Sequence, residues 1–180
     1  MTTNRLGLLR GQFDLTWALF EYHLERLEEA DFRWEPVAHC WTVREDAHGR
    51  WVPDWADTEP DPVPVPTIAW LTWHIGWWWE TATSHVRGTP PRDRTEITWP
   101  GPGEPALAWL RSLRQEWLTA VSALSEPDLD TPAAFPDPAY TRAQMIAWVN
   151  AELMKNVAEI GQLRLLRAAG RKRQGVLPTP

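Results

Sequence analysis

Residues Thr67–Gly88, TIAWLTWHIGWWWETATSHVRG, decide how the rest of the chain is read. The pattern is helical. At about 100° per residue, Thr67, Leu71, His74, Trp78, Thr81 and His85 share one face. Ile68, Ile75, Trp79 and Val86 widen that face into an apolar arc. Thr67 is placed to cap the start, and Gly88, followed by Thr89-Pro90-Pro91, to end it. On this reading His74 points inward, where an imidazole is costly to bury without a partner. Trp73 projects on the opposite face near Ala69 and Glu80. An exposed indole there would mark a contact surface, which predicts a homodimer.

Three further helical patterns lie around this stretch. From about Thr3 to Ala30, Leu6, Leu9, Phe13, Trp17, Phe20, Leu24 and Leu27 repeat at three and four residues, with Glu25, Glu28 and Glu29 left to water. His23, near this seam, reads as a packing or surface residue. From about Glu104 to Leu124, Leu107, Leu110, Trp117, Val121 and Leu124 give the period. Arg114 interrupts that row, so it is expected to snorkel or to pair with an acid. The last pattern opens with a capping box, Thr141 and Gln144, and runs to about Ala169, with Gly170 as its stop. Between its two apolar stripes lie Glu152, Asn156 and Glu159, polar groups set into an apolar arc. Ala147, Ala151, Lys155, Ala158 and Gln162 fall on its water side. Four such segments predict an all-α, antiparallel four-helix bundle spanning residues 1–180 as one domain, with a basic, proline-containing tail from about residue 171.

The connections are long and rich in proline. In residues 31–66, Cys40–Arg44 and Arg50–Val52 have strand composition around a polar turn, so a small β-hairpin is expected. Alternating prolines from Pro60 to Pro66 predict an extended strap. His39 and Cys40 are adjacent, and neighbours in an extended chain point apart, so Cys40 reads as structural.

Composition narrows the function. The net charge of −6 argues against a nucleic-acid surface. No run reaches the roughly 18 apolar residues of a membrane span, and no signal peptide is evident. A single cysteine excludes an internal disulfide framework, and a cytoplasmic location is the expectation. Fourteen tryptophans suit either a core or an aromatic cavity, for which Trp70, Trp77, Trp78 and Trp148 are the candidate lining.

His74 and Glu152, brought together from two helices, would offer nitrogen and oxygen ligands to zinc, nickel or iron(II). The same residues would equally serve as a satisfied polar core. Asn156 is a poor ligand for zinc, because a neutral amide oxygen suits harder cations.

The segments TIAWLTWHIGWWWE and AWVNAELMKNVAEIGQLRLL, with the connection from WTVRED to PDPVPVP, resemble the DinB superfamily in its actinobacterial form. That group includes YfiT-like proteins regarded as metal-dependent hydrolases and the mycothiol-dependent maleylpyruvate isomerases. The resemblance implies a four-helix bundle and a divalent metal. It also implies transferase or isomerase chemistry on a low-molecular-weight thiol. It assigns His74 and Glu152 as ligands. The third position falls on Asn156, where the family pattern has His, and Glu159 is the nearby substitute. The expected function is therefore a thiol-using transferase or isomerase with a degenerate zinc or nickel site that binds metal weakly or not at all. The alternative is a non-catalytic bundle that holds a small molecule in a Trp-lined cavity. If metal is absent, Glu152 is expected to accept a hydrogen bond directly from His74.

Overall fold

The computed structural model describes residues 4–175, with side chains from 4 to 171. Five α-helices, two short 3-10 helices (Arg94–Glu96 and Pro127–Asp130) and four very short strands lie along the described chain. Helix α1 spans Arg5–Leu24 and α2 is a single turn, Glu29–Phe32. Strands β1 (Cys40–Trp41), β2 (Val43–Glu45), β3 (Trp51–Pro53) and β4 (Val65–Pro66) lie in the connection that follows. Helices α3 (Ile68–Arg87), α4 (Glu104–Ser122) and α5 (Arg142–Gly175) complete the set.

Local chemistry sets these boundaries. The Thr67 side chain accepts from the Trp70 N–H, and Gly88 closes α3 in the left-handed region at φ 69°. Thr141 and Gln144 form the expected reciprocal cap, with the Thr141 N–H donating to Gln144 at 2.8 Å. Two limits differ from expectation. Helix α1 stops at Leu24, not Ala30, because Glu28 caps a new turn with Asp31. Helix α5 continues through Gly170 to Gly175, and Arg171, expected in a solvated tail, pairs with Glu28 at 2.7 Å. The residues of that tail beyond 175, like the expected helix start at Thr3, lie outside the described residues.

The helix directions also differ from an all-antiparallel arrangement. Asn150 donates to the Leu9 carbonyl, and Arg164 donates to His23, so α1 and α5 run parallel. Arg111 pairs with Glu21, and Arg10 with Ser122, which sets α4 antiparallel to α1. His74 meets Asn156, and Trp78 meets Trp148, so α3 opposes α5. The Trp109 ring lies on Gly76, and Arg87 reaches Glu116, so α3 and α4 are parallel. The order is up, down, down, up. Residues 89–103 must therefore return the length of α3, roughly 30 Å at 1.5 Å per residue. Fifteen residues reach about 50 Å when extended.

The hairpin is real, with Val43 opposite Pro53 and Glu45 opposite Trp51, while β1 pairs in parallel with β4 at the end of the strap. These connections cover α3. Trp73 is fully buried: its Nε1 donates to the Ile97 carbonyl at 2.8 Å, and Trp55 packs edge-on against it. The sequence placed Trp73 on an open face, and that ground for a homodimer falls away. Arg114 finds no carboxylate among the described residues and lies over the Trp17 ring at 5.1 Å.

Gly76 carries a direct test. A Cβ there would sit 1.8 Å from the Trp109 ring. Gly76→Ala is expected to destabilise the fold by roughly 1–3 kcal/mol, despite the better helix propensity of alanine. Thermal denaturation should show a fall of several degrees.

Candidate functional site

His74 lies at the middle of α3, one of the few positions on that helix not fully buried. Its ring stacks on Trp70, with centroids 4.9 Å apart and planes within 13°. Trp77 packs on its other side at 5.8 Å. From α5, the completely buried Asn156 approaches His74 Nδ1 at 3.0 Å through Oδ1. The Asn156 amide nitrogen donates to Glu152 Oε1 at 3.2 Å, and Lys155 donates to the same oxygen at 2.6 Å.

This chain of contacts assigns the protons. Glu152 Oε1 accepts from the Lys155 ammonium, so the Asn156 amide turns its NH₂ toward the same oxygen. The Asn156 oxygen then faces His74, and Nδ1 must carry the hydrogen. That leaves the lone pair on Nε2, which has no hydrogen-bond partner among the described residues. Burial lowers the His74 pKa below its usual 6.5, against smaller upward pulls from Asn156 and Glu152. The imidazole is therefore neutral near pH 7, with one tautomer fixed.

The expected direct His74–Glu152 bond is replaced by a relay through Asn156. A sealed amide needs partners at both ends, and Asn156 occupies the level of His74. Glu152 sits one turn away, where Lys155 pairs with its Oε1 at 2.6 Å.

The donor set does not fit a resident metal. Both polar atoms of Asn156 are engaged within the relay. Glu159, the expected substitute, faces a groove lined by Val65, Pro66, Leu163 and Leu166, and burial raises its carboxyl pKa. Among the described residues, no three His, Cys, Asp or Glu side chains are grouped to hold an ion.

The four tryptophans named from sequence fall into two groups. Trp70 and Trp77 flank His74. Trp78 packs on Trp148, which meets Phe135, and Phe135 stacks on His85 at 5.5 Å. Trp41 and Trp55, from the long connection, were not singled out, yet they pack on Trp70 and Trp77. The concentration of tryptophan in residues 34–55 was the available signal. Cys40 stays half-buried, its thiol pKa raised by burial and then by Glu35, and His39 turns away to the Pro62 carbonyl. Half-buried His23 accepts from Arg164 and packs on Gly161, as expected of a packing residue.

The family model of the DinB superfamily matches residues 12–160, which include His74, Glu152, Asn156 and Glu159. No curated protein and no solved structure matches the chain.

The relay predicts a pH dependence. Above pH 6.5 both folded and unfolded His74 are neutral, and the group contributes nothing. Below it the unfolded chain takes up a proton that the folded chain resists, so stability falls with pH until the folded pKa is reached. Between pH 7 and 5 the wild type should lose more unfolding free energy than His74→Gln, as read by urea denaturation. Asn156→Asp puts a carboxylate against Nδ1–H and should raise the His74 pKa by about a unit or more in an NMR titration.

Proposed function

The chain belongs to the DinB superfamily, and on that premise we propose that it is a four-helix-bundle member working without a resident metal, as a small-molecule-binding protein. Its ligand would be an aromatic or apolar molecule carrying an S–H, O–H or N–H donor. His74 Nε2 accepts from that donor, and Trp70 and Trp77 supply the aromatic walls, with Trp78 and Trp148 farther along the same helix pair. The observation that carries this reading is the engagement of both Asn156 polar atoms, which leaves a neutral, oriented imidazole with a free acceptor.

A second reading keeps the transferase or isomerase chemistry on a low-molecular-weight thiol. What favours it is the same neutral Nε2. If a bound thiol passes its proton to that nitrogen, the S–H bond electrons stay on sulfur. The resulting thiolate is a nucleophile held beside an imidazolium. The Asn156–Glu152 pair would orient the base and stabilise its charge, as a third group does in a nucleophile–base–orienter arrangement.

Calorimetric titration tests the metal side. Zinc and nickel should show no stoichiometric binding to the unaltered chain at micromolar concentration. Asn156→His, which restores the family's ligand pattern, should gain affinity for both. Tight one-to-one binding by the unaltered chain would overturn the metal-free reading.

Tryptophan fluorescence tests the ligand side, with thiophenol, phenol and benzene as probes of matched shape. The two donors should bind more tightly than benzene by about tenfold, the value of roughly one hydrogen bond. His74→Ala should abolish that preference. Equal affinity for all three in the unaltered chain would remove His74 from the site.

A further inference from the structure

The outer surface of the α1–α5 pair has the wrong chemistry for a face left to water. Helix α1 buries Phe13, Trp17, Phe20 and Leu24 on one side. On the opposite side, directly away from the core, stand Leu8, Leu15, Leu19 and Tyr22, with exposures of 68, 61, 45 and 51%. Leu8, Leu15 and Tyr22 are seven residues apart, the repeat by which one helix seam meets another. A helix apolar on both sides is one that expects cover on both.

The neighbouring helix extends the patch. Because α1 and α5 run parallel in fixed register, their water-facing rows lie side by side. On α5 that row carries exposed Met154 and Leu165 among Ala147, Ala151 and Ala158, with exposed Lys155 and Gln162 along its edge away from α1. Large side chains on one helix thus adjoin small ones on the next. Such a face complements itself: the leucines of one copy can seat over the alanines of another.

The area is of the right size. Six large side chains exposing on the order of 100 Å² each, with the alanines between them, give roughly 700 Å² per copy. A stable protein interface takes about 800 Å² from each partner, and a typical monomer's largest apolar patch is about 300–600 Å². We infer that the partner on this face is a second copy of this chain, packed through α1 and α5 about a two-fold axis. This replaces Trp73, which is buried, as the ground for a dimer.

Sedimentation equilibrium on the full chain, from about 1 to 100 μM, tests it. The unaltered protein should sediment as a dimer. Leu15→Glu on α1 and Ala158→Glu on α5, each at an exposed position, should each shift the midpoint of association upward by at least tenfold. Their circular dichroism and melting temperature, measured at a concentration where the unaltered chain is also monomeric, should stay unchanged. A monomer at 100 μM overturns the inference, and binding of that monomer to anionic phospholipid vesicles would identify a membrane as the occupant instead. A dimer indifferent to both substitutions also overturns it, since the contact would then lie elsewhere.

Discussion

The burial of α3 on nearly every side is the constraint from which the rest follows. Fourteen of its twenty residues are buried, and four of these are tryptophans. Two helices cover at most about half of a helix's circumference, so α4 and α5 cannot seal α3 alone. Phe13 and Trp17 of α1 pack on Trp79, and loops supply the rest of the cover: Trp55 and the Ile97 carbonyl over Trp73, Trp41 and the Asp54 carbonyl at Trp70. Each indole N–H met this way is a donor that would otherwise be stranded. Trp78 and Trp79 show the residual cost, since neither Nε1 has a partner among the described residues.

That requirement explains the proline-rich connections better than flexibility would. A loop that donates carbonyls to buried indoles must hold a fixed path, and proline narrows the paths available. The return segment, residues 89–103, does this while reversing the direction of the chain, so that α4 can run parallel to α3. Helix existence and caps were readable because they depend on local chemistry: Thr67, Gly88, Thr141 and Gln144 act within one turn. Helix direction was not, because it depends on where a fifteen-residue loop goes. The orientation of Trp73 failed for the same reason. Periodicity separates one face of a helix from the other, but it does not count how many faces the tertiary structure will cover.

The site was readable in its members and misread in its wiring. His74, Glu152 and Asn156 were selected because polar groups inside apolar arcs need partners, and two helices do bring them together. Charge favoured a direct bond between imidazole and carboxylate. The structure inserts the amide instead, because register along two antiparallel helices sets which side chains meet, and a one-turn offset outweighs charge. Glu159 illustrates the same rule: it shares a stripe with Asn156, yet it points to a groove under the strap.

The amide also changes what the histidine can do. A carboxylate on Nδ1 would stabilise the imidazolium, drawing the ring toward a permanent charge. A neutral amide oxygen fixes the same tautomer with much less pull on the proton, and burial then dominates. The ring is held like a metal ligand, with one nitrogen anchored and the other bare, but among the described residues no group of three His, Cys, Asp or Glu side chains includes it. On the proposed reading, this bare, oriented, neutral nitrogen beside Trp70 and Trp77 would accept from a donor on an aromatic molecule. It becomes a base only when something acidic enough arrives. Binding and proton transfer at this position would therefore differ in the ligand rather than in the protein, and the acidity of the entering group would decide between them.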